Sequence, residues 1–189
     1  KAKQWGIDQA GYSTQAAFFD YDRDGDLDMY LCNYGVIKQQ FNDEESLRMR
    51  SVSDPFNGDR FFENVGGRYV DVTSRVGIID HKFGFAHGIA VGDFNNDGWD
   101  DMYISNDFYE ADYLYINQGD KTFRERLMQS IGHISNFSMG NDAADFNNDG
   151  LTDIFVLDMV AEDNRRNKEN MGGMRQEAFD FFLNMGFHY

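Results

Sequence analysis

The chain predicts an all-β fold made of repeated blades of four antiparallel strands, the building unit of a β-propeller, with about three blades present and a helical insertion near the C-terminus. Three observations predict it. An acidic loop motif occurs three times, short aromatic and β-branched runs flank each copy, and Gly-containing hairpin turns stand downstream of two of the copies. The motif reads Asp20-Tyr21-Asp22-Arg23-Asp24-Gly25, then Asp93-Phe94-Asn95-Asn96-Asp97-Gly98, then Asp145-Phe146-Asn147-Asn148-Asp149-Gly150.

The first unit enters its loop from the small and apolar stretch Thr14 to Phe19 and leaves it as Asp28-Met29-Tyr30-Leu31. Two further runs, Arg60 to Asn64 and Arg68 to Val72, flank Val65-Gly66-Gly67, a hairpin turn. The second unit repeats the order. His87 to Gly92 precedes its loop and Asp101-Met102-Tyr103-Ile104 follows, and then Tyr113 to Asn117 and Thr122 to Arg124 flank Gly119-Asp120. The third unit shows Ser138 to Ala144 before its loop and Asp153-Ile154-Phe155-Val156 after it. Strand, acidic loop, strand, strand, hairpin, strand is the order of a propeller blade. The whole chain, 1–189, thus reads as a partial propeller with units at approximately 12–78, 83–132 and 137–189.

Asp20, Asp93 and Asp145 are spaced by 73 and then 52 residues. The longer first interval is explained by a polar surface insertion at 35–59, which holds the only proline, Pro55. A second insertion covers 160–186. It starts with the charged stretch Ala161 to Asn170, and then Met174, Ala178, Phe181, Phe182 and Met185 recur at helical spacing. That pattern predicts a helix over about 174–185, bounded by Gly172-Gly173 and Gly186.

The loops have the composition of cation sites. Positions 1, 3, 5 and 9 carry carboxylates or carboxamides: Asp20, Asp22, Asp24 and Asp28; Asp93, Asn95, Asp97 and Asp101; Asp145, Asn147, Asp149 and Asp153. Calcium takes about six to eight oxygens at roughly 2.3–2.6 Å, and alternate side chains of a tight loop can converge on one point. Glycine at position 6 permits the sharp turn, and the carbonyl at position 7 (Asp26, Trp99 or Leu151) can add an oxygen. Carboxylates packed this closely repel one another, and a cation resolves the repulsion. Asp, Asn and Gly also dominate ordinary polar turns, but three copies in register argue for a shared chemical purpose, so three calcium ions are expected. An EF-hand loop would need an acidic ligand at position 12 and a following helix. Leu31, Ile104 and Val156 stand there instead, each within a strand pattern.

With these residues in view, Phe83-Gly84-Phe85 through Asp101 resembles the FG-GAP repeat of the integrin α-subunit propeller and of bacterial VCBS-repeat proteins. Asn64-Val65-Gly66, followed by Tyr69-Val70-Asp71-Val72-Thr73 and Val76-Gly77-Ile78, is similar to extracellular bacterial proteins related to cartilage acidic protein. The resemblance implies calcium at the loop positions just named and a propeller commonly of seven blades. Two departures stand out: Asn at position 3 of two loops, and Tyr12-Ser13-Thr14 where the first unit would carry Phe-Gly.

Composition limits the function. A net charge of −16, from 33 acidic and 17 basic residues, opposes nucleic acid and anionic membrane surfaces. Aromatic residues make up 16%, which places that acidity on a folded chain. Cys32 is the sole cysteine, so neither an internal disulfide nor a Cys-based zinc site can form. No apolar run approaches the roughly 18 residues of a membrane span, so direct membrane insertion is not expected. The first residues do not form a signal peptide, and an export signal is expected outside them.

No nucleophile elbow, phosphate loop or HExxH motif is present, so no catalytic or organic-cofactor residues are assigned. His81, His87, His133 and His188 are assigned structural or surface roles. The sequence therefore predicts a non-enzymatic calcium-binding propeller at the cell surface or secreted, in a Gram-negative bacterium associated with the outer membrane, that binds a protein or glycan. The alternatives are the propeller portion of an extracellular carbohydrate-active enzyme, or an architectural subunit of an outer-membrane complex. The chain also reads as an excerpt. Trp5-Gly6-Ile7 parallels Val76-Gly77-Ile78, the tail of a preceding blade, while the third unit stops before its last strands, and a propeller needs about four to eight blades to close.

Overall fold

The computed structural model describes residues 1–36, 42–107, 110–135, 137–159, 163 and 165. A short helix, α1 (Ala2–Trp5), leads into a first sheet of β1 (Ser13–Phe19), β2 (Asp28–Asn33), β3 (Arg60–Asn64) and β4 (Tyr69–Asp71), with helix α2 (Asp43–Met49) between β2 and β3. After helix α3 (Thr73–Val76) comes a second sheet of β5 (Ala86–Gly92), β6 (Asp101–Asn106), β7 (Tyr113–Asn117) and β8 (Phe123–Glu125). Helix α4 (Leu127–Ser130) leads to β9 (Ser138–Ala144) and β10 (Asp153–Asp158), which pair as a third sheet. The two full sheets run in chain order, β1-β2-β3-β4 and β5-β6-β7-β8, and every pairing is antiparallel. The described fold is therefore β-dominated, with helices of four to seven residues. The helix expected over 174–185 lies outside the described residues.

The register repeats with the sequence. Phe19 pairs with Asp28, Gly92 with Asp101 and Ala144 with Asp153, so each acidic loop closes on its position-9 aspartate. Each pairing also carries one irregularity at the same offset from its loop, which leaves Thr14, His87 and Met139 as the extra residue of a bulge. Beyond the bulges, Tyr34 bridges Phe85 and Asp107 bridges Phe137, so the end of one sheet's second strand is tied to the start of the next sheet.

The sheets stack face to face, with β5 packed between β1 and β9. Side-chain alternation divides each strand between two cores. Met102, Ile104 and Tyr115 face the first sheet and join Phe19, Tyr21, Tyr30, Phe61 and Val76. Tyr103 and Leu114 face the other way, where Ile154 and Val156 of β10 pack against them. Burial of β2 and β6 is almost continuous along the strand, as expected for strands covered on both faces. Tyr21, Phe61 and Phe123 form an aromatic cluster between the first two sheets, with ring centroids 4.9 to 5.9 Å apart.

The parallel between Gly6 and Gly77 is structural. Both end a four-residue helix with positive φ, 81° and 85°, and both lie against a carbonyl that opens an outer strand. A Cβ at Gly6 would sit 2.3 Å from the Tyr69 carbonyl oxygen, and one at Gly77 would sit 2.7 Å from that of Phe123. Only glycine permits both the approach and the conformation.

Residues 42–59 of the insertion carry a helix and specific anchoring contacts. Asn42 caps α2 by accepting the Glu45 amide at 2.8 Å, while the Glu45 carboxylate accepts the Asn42 amide at 3.2 Å. Asn42 and Glu45 thus form a capping box at the start of that helix. The segment is anchored by a buried ion pair between Arg50 and Glu110, and by the Asp54 amide donating to the Asp80 carbonyl at 2.8 Å.

Candidate metal centres

In an antiparallel sheet the β1–β2 and β3–β4 connections share one end and the β2–β3 connection takes the other. The acidic loops and the tight hairpins therefore sit together, and residues 42–59 lie at the opposite end.

Each loop is shaped by its own carboxylates. In the first, the Asp24 amide donates to Asp20 Oδ1 at 3.1 Å and to Asp22 Oδ1 at 3.2 Å, and the Gly25 amide donates to Asp20 Oδ2 at 3.0 Å. The Asp26 amide donates to Asp24 Oδ1 at 2.9 Å. The second loop repeats these bonds with Asp97 on Asp93 and Asn95, Gly98 on Asp93, and Trp99 on Asp97. The third repeats them with Asp149 on Asp145 and Asn147, Gly150 on Asp145, and Leu151 on Asp149. The backbone is left-handed at position 6 (Gly25 92°, Gly98 89°, Gly150 85°) and also at position 4, where Arg23, Asn96 and Asn148 each have φ 60°. Asn is among the non-glycine residues that enter this region most readily, which accounts for two of the three residues at position 4.

Position 9 closes each loop from the second strand. Asp28 Oδ2 accepts the Tyr21 amide at 3.3 Å, Asp101 Oδ2 accepts the Phe94 amide at 3.0 Å, and Asp153 Oδ2 accepts the Phe146 amide at 3.0 Å. In the two full sheets the other oxygen accepts from the third strand: Asn64 N–H donates to Asp28 and Asn117 N–H to Asp101, both at 2.8 Å. Burial is the main reason the Asp28 carboxyl is pushed up to about 7 and that of Asp101 to about 6; these amide bonds oppose the shift.

In the first loop one carboxylate oxygen each from Asp20, Asp22 and Asp28 lies within 4.8 Å of the others. In the other two loops Asn95 and Asn147 replace the carboxylate of Asp22 by an amide oxygen. The donor set is therefore oxygen in all three, which fits a hard cation such as calcium and not a soft metal. Asp26, Trp99 and Leu151 enter the geometry through their amides, as described. Asp24, Asp97 and Asp149 sit beside the position-1 and position-3 side chains by way of the shared amide.

Several residues of the centres were missed in the sequence. The Asn64 side chain donates to the Leu27 carbonyl at 3.2 Å, and the Asn117 side chain donates to the Tyr21 carbonyl of the first loop at 2.9 Å. Lys121 Nζ lies 2.5 Å from Asp22 Oδ2 and 3.4 Å from Glu63 Oε1, and the Arg23 guanidinium stands 4.1 Å above the Trp99 ring. Asn64 and Asn117 precede matching Gly-containing turns, a signal in the sequence; Lys121 carries none.

At the opposite end, buried Asp59 and Asp112 accept hydrogen bonds from Tyr30 and Tyr103 hydroxyls at 2.7 and 2.6 Å, and from the Asn33 and Asn106 amides at 2.7 and 2.8 Å. His81 is buried near Glu110 and Arg50, and burial together with the Arg50 charge lowers its pKa to about 4. His87 is half-buried against Tyr34. Both are packed where structural histidines belong.

Residues 93–156, from position 1 of the second loop to the strand after the third, match the family model described as FG-GAP-like repeat. That stretch is similar to an FG-GAP-like repeat. Over 141 residues it is also 32% identical to cartilage acidic protein 1 of Xenopus tropicalis, a match that takes in 69% of this chain and 21% of that protein. The chain thus spans about a fifth of that relative's length. The FG-GAP-like repeat contains the second and third acidic loops, and the first loop shares their hydrogen-bond pattern. No helix among the described residues is long and apolar enough to cross a membrane.

Proposed function

We propose that the three sheets are blades of an extracellular calcium-stabilised propeller that binds a protein or glycan. One ion sits in each loop, held by positions 1, 3, 5, 7 and 9, and the repeat units run approximately 12–78, 83–132 and 137–189. The observation that carries the reading is the same loop geometry in three copies, each an all-oxygen set shaped by its own backbone amides. Calcium binding draws the position-1, position-3 and position-9 side chains to one centre and so ties the first strand of a blade to the second.

Exposed apolar residues of the third sheet support further blades. Phe146 and Phe155, each 54% exposed, occupy the loop-relative positions of Tyr21 and Tyr30, which the neighbouring sheet buries. Another blade would cover them, in keeping with a propeller of about seven. The binding role is assigned to the end opposite the calcium loops, where residues 42–59 enlarge the surface. Assignment to a Gram-negative outer membrane, as a free binder or as part of a larger complex, follows the sequence resemblance.

Thermal melting of the intact protein tests the calcium role. Chelator is expected to lower the melting temperature, and calcium to restore it more fully than equimolar magnesium, whose octahedral demand these loops suit less well. A melting curve indifferent to both ions contradicts the proposal.

A further inference from the structure

We infer that Lys121 is a built-in counter-cation of the first calcium loop: it holds Asp22 while the loop is free of metal and weakens that loop's grip on calcium, so that the neighbouring blade sets the occupancy of the site. This rests on the calcium reading above and adds a regulator to it.

The first loop differs from the others in charge. It has carboxylates at positions 1, 3, 5, 7 and 9 (Asp20, Asp22, Asp24, Asp26 and Asp28), whereas the second and third have them at positions 1, 5 and 9. Charge alone would make it the strongest calcium site. Yet the oxygen that distinguishes it, Asp22 Oδ2, is already engaged at 2.5 Å by the Lys121 ammonium. The Asp22 side chain has no exposed surface, although its backbone reaches solvent, while Lys121 remains 52% exposed. The lysine therefore covers the carboxylate from the solvent side, steadied by Glu63 of β3 at 3.4 Å.

The turn geometry is suited to this. The first sheet's hairpin joins paired residues Asn64 and Tyr69, and the second joins Asn117 and Phe123, one residue more. Lys121 lies in that longer turn with φ 68°, an uncommon conformation for a lysine. Two neighbouring contacts hold the same stretch of the loop against the second sheet: Asn117 Nδ2 on the Tyr21 carbonyl, and Arg23 over Trp99. Residues 21, 22 and 23 of the first loop are thus each gripped by the following blade. A cation in contact with a ligand carboxylate competes for its lone pairs and repels an incoming dication. Solvent around the half-exposed ammonium limits the effect to roughly three- to tenfold in affinity.

The three loops can be followed separately in one sample. The Gly25, Gly98 and Gly150 amides donate to Asp20, Asp93 and Asp145, so the amide resonances of glycine-labelled intact protein report each loop during a calcium titration. In Lys121→Gln the Gly25 midpoint is expected at roughly three- to tenfold lower calcium, with Gly98 and Gly150 unmoved. Lys121→Arg keeps the charge and should stay near wild type, and in chelator Lys121→Gln should melt below wild type. A Gly25 midpoint unchanged or shifted to higher calcium in Lys121→Gln overturns the inference while leaving the calcium reading intact. If no glycine responds to calcium in the wild type, the calcium reading itself fails and the inference goes with it.

Discussion

Asp59 and Asp112 show how a single residue type is used twice within one repeat. Asp28 and Asp101 are buried at the loop end of their sheets, and Asp59 and Asp112 are buried at the other end, each beside a tyrosine hydroxyl and an asparagine backbone amide. Burial raises the Asp59 carboxyl to about 7 and that of Asp112 to about 6 against the hydrogen bonds that favour ionisation. The sign is the reverse of the usual stabilising carboxylate. Between about pH 4 and pH 7 the folded chain holds a proton on Asp59 that the unfolded chain has released, so the free energy of unfolding falls as pH rises through that window. Asp59→Asn removes this titration. Its stability relative to wild type should therefore improve from pH 4 to pH 7, by at most about 1.4 kcal/mol per pH unit. Denaturant unfolding of both proteins in saturating calcium across that range measures it, and parallel pH profiles would contradict the assignment. In the third sheet Phe155 stands where Tyr30 stands in the first, so the hydroxyl donor is not repeated there.

At the scale of the element, the acidic loop and its two strands act as one unit because the position-9 aspartate joins loop, second strand and third strand. Asn117 extends that unit to the preceding sheet: its side chain donates to the buried Tyr21 carbonyl at 2.9 Å and to the Asp100 carbonyl at 3.3 Å. Asn117→Ala leaves both carbonyls without that donor and should cost about 1–3 kcal/mol. Asn64→Ala, whose side chain bonds within its own sheet, should cost less. Equilibrium unfolding separates the two, and equal losses would argue against a role for Asn117 between sheets. Much of this unit was legible in the sequence. The acidic motif, the strands beside it and both hairpin turns follow from spacing and turn chemistry, because these are local. Helices α3 and α4 were not legible, since four residues are too few to show a period. The Lys121–Asp22 and Asn117–Tyr21 contacts cross 99 and 96 residues and depend on how whole sheets stack. The bulges at Thr14, His87 and Met139 share an offset but no residue type, so only the paired strands reveal them.

For the molecule as a whole, face-to-face stacking makes each sheet depend on its neighbours, and the acidic loops gather at one end of that stack. At about 1 mM free calcium, sites with dissociation constants on the order of 0.1–1 mM would each add roughly 0.4–1.4 kcal/mol, if the unfolded chain binds none. Three such contributions are an appreciable share of a typical stability of about 5–15 kcal/mol. The stack also brings Lys121 of the second sheet's hairpin against Asp22 of the first loop. Counting calcium ions tests the central claim most directly. Calorimetric titration of the intact protein, set beside a variant carrying Asp24→Ala, Asp97→Ala and Asp149→Ala, should show three fewer ions bound in the variant. Equal calcium uptake by the two proteins would contradict the account.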